Sequence, residues 1–257
     1  MMNNLAPMKE QYNDPALVFG TRAVLEALHS GREFERIFIQ QGLNNPLLRE
    51  LKEAMRSAGL LFQSVPVEKL NRLTRLNHQG VVAFLAGINY HHVEDIVPSL
   101  FEEGKVPLLL ILDRITDTRN LGAIARTAEC AGVHALIIPS RGSALISGEA
   151  FKASAGALHH ITVCREDNLK TTIDYLRDSG IKVVACTEKS ADLSYDADLK
   201  GPLAIILGNE ENGVSQEYLK RSDSRVRLPM AGEVASYNVS VAAGMVLYEV
   251  MSQRSSQ

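Results

Sequence analysis

The second half of the chain contains five nearly continuous apolar runs separated by longer mixed segments. The runs read VPLLLILDR, HALIIP, ITVC, KVVACT and LAIILG. A strand that is apolar at every position is typical of a parallel sheet with helices on both faces, because neither face meets water. The intervening segments, such as LGAIARTAECAG and NLKTTIDYLRDSG, have helical patterns. This alternation predicts an α/β domain built on a parallel sheet over residues 106–254.

The first part of the chain predicts a smaller α/β unit over residues 16–88. Its helical segments are TRAVLEALHSG, NPLLRELKEAMRSAG and EKLNRLTRL, and its strands are RIFIQ, LFQSV and VVAFLAG. Residues 1–15 predict a disordered tail. Residues 89–105 contain a proline and a cluster of charges, and they predict a linker between two domains.

Composition narrows the class of protein. The chain has 257 residues, of which 46% are hydrophobic and 22% charged, as in ordinary globular proteins. No apolar run approaches the roughly 18 residues of a membrane span, and the first residues lack the order of a signal peptide. Three distant cysteines without a CxxC pair, in apolar surroundings, predict buried free thiols in a reducing cytoplasm. Adjacent histidines without a supporting carboxylate or thiol spacing predict no metal site.

The charge is unevenly distributed. Residues 1–90 hold 10 Lys and Arg against 8 Asp and Glu, a net +2, whereas the remainder holds 17 against 22, a net −5. Within EKLNRLTRLNHQG, Lys69, Arg72 and Arg75 recur every three residues, which places them on one face of a helix. With His78 and Gln79, they predict a surface that contacts RNA phosphates. A solvated helix face, with NHQG as a simple turn, is the alternative.

The loop LDRITDTRNLGAIARTAECAG follows the first apolar run of the second domain. Polar side chains at the carboxyl end of a parallel strand are where α/β folds place ligands. Asn120 or Thr118 is expected to cap the helix that follows. Arg126 stands among small apolar residues, so it must face a partner, a cleft or water. A salt bridge to a nearby acid is the alternative to a functional role.

The loop ILGNEENGVS has a Gly-x-x-x-x-Gly spacing, but it does not fit a phosphate loop. No Lys-Ser or Lys-Thr pair follows Gly213, and Glu210 and Glu211 would repel a triphosphate. No GxGxxG occurs anywhere in the chain. An acidic turn of this kind suits a neutral or cationic ligand. S-adenosylmethionine, a sulfonium without phosphate, meets that description, and a mere tight turn is the alternative.

The segment LPMAGEVASYNVSVAAG places Ser236, Asn238 and Ser240 at every second position of an otherwise apolar stretch. Asn238 is expected to cap the last helix. Ala242, Ala243 and Gly244 leave room for another backbone or a flat ligand, or for close packing against a neighbouring helix.

Taken together, NLGAIART, LGNEENG and LPMAGEVASYNVSVAAG resemble, in order and spacing, the motifs of the SpoU/TrmH branch of the SPOUT methyltransferases. The N-terminal block, ending NHQGVVAFLAG, is similar to the L30e-like RNA-binding domain of the RlmB-type 23S rRNA guanosine-2′-O-methyltransferases. The resemblance implies a deep C-terminal trefoil knot that holds S-adenosylmethionine. It also implies a homodimer with each site near the subunit interface.

The resemblance also implies residue roles. Leu207, Gly208, Leu228, Met230 and Tyr237 match cofactor-contacting positions, although the family usually has leucine in place of Tyr237. The residues expected around the reacting ribose are Asn120, Arg126, Glu210, Ser236 and Asn238.

Arg126 matches the catalytic residue proposed for the family, but a guanidinium stays protonated and is a poor base. We expect Arg126 to hold phosphate and stabilise the developing alkoxide, while a phosphate or Glu210 accepts the proton.

Other functions stay open at the level of sequence. A tRNA 2′-O-methyltransferase of the same family and a catalytically silent RNA-binding homologue share these motifs. An oxidoreductase or kinase of ordinary α/β topology is disfavoured by the missing phosphate loops.

Overall fold

The computed structural model describes residues 17–255, which form two compact units divided between Gly87 and Ile88. The predicted tail, residues 1–15, lies outside the described residues. No helix among the described residues is long and apolar enough to cross a membrane.

The first unit is a mixed four-stranded sheet with three helices. Strand β4 is antiparallel to both β1 and β2, and β2 is parallel to β3, giving the order β1-β4-β2-β3. The strands are β1 Leu17–Phe19, β2 Phe34–Gln40, β3 Gln63–Val65 and β4 Val81–Leu85. The helices are α1 Thr21–His29, α2 Pro46–Ser57 and α3 Val67–Leu73. The three-residue strand β1 was not predicted.

Helix α2 shows why these segments fold as they do. Its first turn has Pro46, and the Asn45 side chain accepts the Leu48 backbone N–H at 2.8 Å. Both features are typical of a helix N-terminus. Leu48, Leu51 and Met55 recur at helical spacing and are buried against the sheet.

The second unit confirms the predicted parallel sheet. Its seven strands are all parallel, in the order β11-β9-β10-β6-β7-β8-β5. The strands are β5 Tyr90–His91, β6 Leu108–Asp113, β7 Ala135–Pro139, β8 Thr162–Glu166, β9 Lys182–Cys186, β10 Leu203–Gly208 and β11 Ser224–Val226. All six residues of β6 are buried, so this central strand is covered on both faces.

Helices cover both faces of this sheet, and a separate apolar core lies on each face. The helices are α4 Val93–Glu102, α5 Thr118–Cys130, α6 Gly148–Ala153, α7 Leu169–Asp178, α8 Gln216–Arg221 and α9 Val239–Ser255. A short 3₁₀ helix spans Ala157–His159. Asp117, rather than Asn120 or Thr118, caps α5 by accepting the Asn120 backbone N–H at 2.8 Å.

The prediction that residues 89–105 form a linker is wrong. Strand β5 extends the large sheet through its pairing with β8, and α4 buries Val93, Val97 and Leu100. These three positions have helical spacing, and Pro98 is accommodated inside the helix. Strand β5 has only two residues, too few for an alternating pattern to be visible in the sequence.

The end of α9 is bonded to the start of the sheet. Arg254 donates to the carbonyls of Pro107 at 3.1 Å and Gly201 at 2.6 Å, and its other amino group donates to Val106 at 3.4 Å. These bonds fix the helix that begins beside the polar cluster described below. The threading of this C-terminal segment through a knot stays a prediction.

Candidate active site

The carboxyl ends of three neighbouring parallel strands meet at one edge of the large sheet. Strands β6, β9 and β10 end at Asp113, Cys186 and Gly208. The loops after β9 and β10, together with residues 228–242, surround a pocket of about 360 Å³. The pocket therefore lies where the strand pattern predicts a ligand site.

The structure brings the five predicted cofactor-contacting residues into this one pocket. They line it together with Ser236 and the 209–213 turn. The five are Leu207, Gly208, Leu228, Met230 and Tyr237.

Gly208 is the most constrained position in the pocket. A Cβ atom built there would lie 2.1 Å from the carbonyl carbon of Gly213 and 2.2 Å from the nitrogen of Val214. Real Cβ atoms do not approach backbone so closely, so no other residue fits without moving the turn. Within that turn, the Gly213 N–H donates to the Asn209 carbonyl at 2.7 Å.

Asn209 organises the rest of the turn. Its side-chain oxygen accepts the backbone N–H groups of Glu211 at 2.8 Å and Asn212 at 3.0 Å. This pattern fixes the turn's backbone from within and leaves the side chain of Glu210 exposed.

Three of the predicted catalytic residues form one hydrogen-bonded cluster. Glu210 Oε1 accepts the side-chain amides of Asn120 at 2.9 Å and Asn238 at 2.7 Å. Asn238 also donates to Asn120 Oδ1 at 3.1 Å. Glu210 Oε2 makes no hydrogen bond with any residue between 17 and 255, so it is available to a hydroxyl donor. The cluster joins the start of α5, the turn after β10 and the start of α9.

Asn238 also caps α9, as predicted. Its Oδ1 accepts the Ser240 backbone N–H at 2.9 Å and the Ser240 hydroxyl at 2.6 Å. One side chain therefore fixes the start of the last helix with its oxygen and reaches Glu210 with its nitrogen.

The other two predicted catalytic residues lie outside this cluster. Ser236 is exposed and lines the pocket. Arg126 lies on an exposed part of α5, and its side chain makes no hydrogen bond or ion pair with any residue between 17 and 255. It also does not line the pocket. Of the sequence alternatives for Arg126, the structure shows exposure to solvent and no salt bridge within that range.

Tyr237, at a position where the resemblance leads one to expect leucine, closes a loop. Its hydroxyl donates to the carbonyl of Pro229 at 2.8 Å. A leucine at this position could not make that bond.

Sequence reasoning missed the loop after β9. Thr187, Glu188 and Lys189 line the pocket, and both carboxylate oxygens of Glu188 lie 3.8 Å from the point where a Cβ on Gly213 would stand. The only indication in the sequence is their position, because Thr187 ends the predicted strand KVVACT and Glu188 and Lys189 follow it. Cys186, the last residue of β9, also lines the pocket, and burial raises the pKa of its thiol to about 12.

The predicted RNA-contacting residues are only partly on one helix. Lys69 and Arg72 are exposed on α3, and Lys69 Nζ lies 4.7 Å from the centroid of the Phe38 ring. Helix α3 ends at Leu73 and Thr74 is extended, so the prediction that Arg75 shares the helix is wrong. Thr74 is β-branched and has a low helix propensity, and its extended conformation ends the helix early.

The His78 side chain is nearly buried and hydrogen-bonded within the first unit. It is 9% exposed, its Nε2 is 2.9 Å from Asn71 Oδ1, and its Nδ1 accepts the Gly80 N–H at 3.0 Å. Gln79 is exposed with φ 49° and turns the chain into β4. For His78, the structure therefore favours the alternative interpretation, in which NHQG is a simple turn, over a contact with RNA. Gln79 stays a candidate contact.

Within residues 17–255, no group of three or more histidine, cysteine, aspartate or glutamate side chains is placed to hold a metal ion.

Comparisons with known proteins agree with this geometry. The profile of the SpoU rRNA Methylase family matches residues 107–248. A second profile, described as RNA 2′-O ribose methyltransferase substrate binding, matches residues 17–91. A Bacillus subtilis protein assigned to the TrmH family of tRNA/rRNA methyltransferases is 35% identical over 92% of this chain and 95% of its own length.

Solved structures show the same similarity. The SpoU methyltransferase AviRb of Streptomyces viridochromogenes, in complex with the cofactor AdoMet, is 26% identical with a TM-score of 0.60, covering 94% of this chain and 91% of its own. An AdoMet-bound rRNA methyltransferase of Sinorhizobium meliloti is 26% identical with a TM-score of 0.58, covering 91% and 85%. The pocket, the polar cluster and these matches identify the chain as a member of the SpoU/TrmH family of RNA 2′-O-ribose methyltransferases, with that family's N-terminal substrate-binding domain.

Proposed function

We propose that the protein transfers a methyl group from S-adenosylmethionine to the ribose 2′-hydroxyl of a guanosine in 23S rRNA. The observation that carries this proposal is the position of the Glu210 cluster beside a pocket lined by the five predicted cofactor residues. Family membership supports the reaction class, and the resemblance to RlmB-type enzymes supports the rRNA target.

The pocket fits S-adenosylmethionine in its dimensions and chemistry. Its volume of about 360 Å³ is within the range of small-molecule sites. The absence of a side chain at Gly208 lets the 209–213 turn fold back against the end of β10, and Leu207, Leu228 and Met230 supply apolar contacts. The lining includes Glu188, Glu210 and Glu211 against Lys189, an excess of negative charge that favours a cationic ligand over a phosphate.

When bound, the cofactor supplies an electrophilic methyl group on sulfur. Glu210 Oε1 is held by the amides of Asn120 and Asn238, and this fixes the direction of Oε2. We assign to Oε2 the hydrogen bond from the ribose 2′-hydroxyl and the acceptance of its proton. Asn120 and Asn238 orient the carboxylate. Ser236, two residues before Asn238, lines the pocket.

Arg126 is assigned to the RNA phosphate. It is exposed and free of ion pairs with residues 17–255, so binding a phosphate breaks no contact among them. A bidentate guanidinium also holds the nucleotide more rigidly than an ammonium group does. Arg126→Lys is therefore expected to lose most activity while retaining cofactor binding. Near-normal turnover by Arg126→Lys would contradict this role.

The first unit is assigned to RNA binding through Lys69, Arg72, Arg75 and Gln79. The side chains of Arg72 and Arg75 are exposed and make no hydrogen bond or ion pair with residues 17–255. Replacing both with glutamine should weaken RNA binding, reduce its salt dependence and leave S-adenosylmethionine binding unchanged. Unchanged salt dependence would remove these residues from the RNA surface.

We also propose a homodimer. Helix α9 buries Val239, Ala243 and Val246 in the core, yet its outer face exposes Val241, Tyr248 and Met251. A helix that is apolar on both sides is suited to packing on both sides. Light scattering of the wild type and of Val241→Asp/Tyr248→Glu tests this: a dimer is expected for the first and a monomer for the second. A monomeric wild type would contradict it.

The decisive test of substrate is labelled methyl transfer to 23S rRNA and to tRNA from a strain that lacks this protein. Methylation of one guanosine ribose in 23S rRNA is expected. Methylation of tRNA alone would favour the tRNA enzyme of the same family. Binding of RNA without methyl transfer or cofactor binding would indicate a catalytically silent homologue.

A further inference from the structure

The buried end of β6 carries an ion pair that is absent from the predicted site. Asp113 is 1% exposed. Arg114 donates to it through Nε at 2.7 Å and through Nη2 at 2.9 Å, so each carboxylate oxygen accepts one bond. A buried carboxylate needs such partners, and a bidentate pair of this kind has a fixed geometry.

The pair is bonded to the loop that follows β10. Arg114 Nη2 also donates to the Gly213 carbonyl at 3.2 Å, and Asn209 Nδ2 donates to the Arg114 carbonyl at 3.3 Å. The Ser215 N–H donates to Asp113 Oδ2 at 2.7 Å. These bonds reach Asn209 at the start of the turn, Gly213 at its end and Ser215 just after it. The pair therefore connects the whole turn to the central strand.

Arg114 adopts an uncommon backbone conformation. Its φ is 58°, in the left-handed region that L side chains rarely occupy. Such strain persists only where surrounding contacts stabilise it, and here the fork on Asp113 and the bond to Gly213 do so. A residue kept in this conformation and bonded to two lining residues of the candidate pocket points to a role beyond linking a strand to a helix.

We propose that Asp113 and Arg114 are positioning residues that hold the 209–213 turn in the shape required for cofactor binding. The inference rests on the proposed function, because it assigns S-adenosylmethionine to the pocket. Gly213 and Asn209 both line that pocket, and the same turn carries Glu210. Loss of the fork therefore alters both the cofactor contacts and the position of the proton acceptor.

A second Arg–Asp ion pair in the same unit provides a control, with one side-chain hydrogen bond instead of two and a carboxylate that is 32% exposed against 1% for Asp113. Arg177 Nε donates to Asp223 Oδ1 at 2.8 Å, and Asp223 Oδ2 accepts the Val183 N–H at 2.8 Å. The two arginine side chains are similarly exposed, 42% for Arg114 and 44% for Arg177. Arg177 and Asp223 do not line the candidate pocket. The comparison thus separates the loss of an Arg–Asp ion pair elsewhere in the unit from the loss of the pair that is bonded to the pocket turn.

The test compares Arg114→Met with Arg177→Met by calorimetric titration with S-adenosylmethionine at a temperature where both are folded. Arg114→Met is expected to weaken binding about tenfold, the effect of losing charge-assisted hydrogen bonds. It is also expected to raise the KM for S-adenosylmethionine far more than the KM for RNA. Arg177→Met is expected to lower thermal stability and to change cofactor affinity by less than about twofold.

Two further variants test whether backbone strain or an unpaired buried charge, and not loss of the fork, causes the loss of affinity. Arg114→Gly accepts the left-handed backbone without strain but lacks the fork, so it should lose affinity as Arg114→Met does. Asp113→Asn/Arg114→Met removes the unpaired buried charge, so the protein folds even if Arg114→Met does not, and its affinity should still be reduced.

Wild-type affinity in Arg114→Gly or in the double variant would overturn the inference, as would an equal loss in Arg177→Met. Failure of the wild type itself to bind S-adenosylmethionine would instead overturn the proposed function, and this inference with it.

Discussion

The two sides of the candidate pocket are constructed differently. The inner wall, residues 208–215, is fixed by the bonds of Asn209 and by the Asp113–Arg114 fork. The outer wall, residues 229–237, consists almost entirely of exposed residues, with Val234 80% exposed, and Tyr237 bonds to Pro229 across its base.

The contrast assigns different tasks to the two walls. A segment held by several hydrogen bonds to the sheet and to itself keeps its shape, whereas one with few contacts opens at low cost in free energy. We therefore expect the inner wall to set the geometry of the reaction and the outer wall to admit the cofactor. Substitutions in the inner wall should then be more damaging than comparable ones in the outer wall.

The largest difference is expected between two glycine substitutions. Gly208→Ala places a Cβ 2.1 Å from backbone in the inner wall, whereas a Cβ on Gly232 in the outer wall meets nothing within 4 Å. Displacing the turn is expected to cost about 3 kcal/mol of binding free energy, or about a hundredfold in Kd. Calorimetric titration with S-adenosylmethionine measures both variants.

Gly232→Ala should bind with affinity close to that of the wild type. Equal losses in the two variants would contradict the contrast between the walls, and normal binding by Gly208→Ala would show that the inner wall is adaptable.

The second prediction concerns Asn238, where the outer wall meets the polar cluster. Asn238→Asp keeps an oxygen to cap α9 but replaces the amide that donates to Glu210 with a like charge. Methyl transfer is expected to fall about fiftyfold, less than the roughly 10²- to 10⁴-fold contribution of a general base itself, because Glu210 is misoriented and not removed. The melting temperature should change little, because the cap is kept.

Asn238→Ala supplies the control, since it removes both the cap and the amide. It should lose similar activity and, in addition, about 1 kcal/mol of stability. If Asn238→Asp retained full activity, orientation of Glu210 by Asn238 would be refuted.

The Glu210 cluster and the Asp113–Arg114 fork show how much of this site the sequence could predict. Asn120, Glu210 and Asn238 lie in three separate motifs, and the resemblance assigned them to one site. The five apolar runs predicted the central strands because full burial leaves an uninterrupted pattern. Glu188 was missed because one carboxylate after a strand has no distinctive neighbours.

The Asp113–Arg114 fork could not be predicted in the same way. Adjacent residues usually diverge, and only the left-handed backbone at Arg114 brings this pair together. The early end of α3 likewise depends on Thr74 adopting an extended conformation, and the repeating basic residues give no sign of it.

The third prediction uses the pH dependence of stability to test the burial of Cys186, which lines the pocket between the two walls. Burial raises the pKa of Cys186 from 9.0 to about 12. Below pH 9 the thiol is neutral in both states. As the pH rises from about 9 toward 12, the unfolded chain loses this proton first and the folded state loses stability, by at most about 1.4 kcal/mol per pH unit.

Denaturant unfolding between pH 8 and pH 10.5 measures this slope. Cys186→Ser should reduce it, whereas Cys130→Ser, at an exposed thiol, should leave it unchanged. Equal slopes in the wild type and Cys186→Ser would mean that the pocket floor is open to water.

The smallest effect is expected from Tyr237→Phe. This change removes only the hydroxyl bond to the Pro229 carbonyl, in a wall that is already exposed. The KM for S-adenosylmethionine should rise about threefold, as for one neutral hydrogen bond near solvent, with kcat unchanged. A loss as large as that of Arg114→Met would show that the outer wall is as constrained as the inner one.

The separation of the cluster residues along the chain has a consequence for folding. Asn120 and Asn238, which bond directly, lie 118 positions apart, and Glu210 lies 90 positions beyond Asn120. Closing so long a stretch of chain costs entropy that a few exposed hydrogen bonds cannot offset, so the intervening sheet must already be assembled. Catalysis will therefore disappear in step with the cooperative unfolding of the second unit, and no partly folded form will retain it.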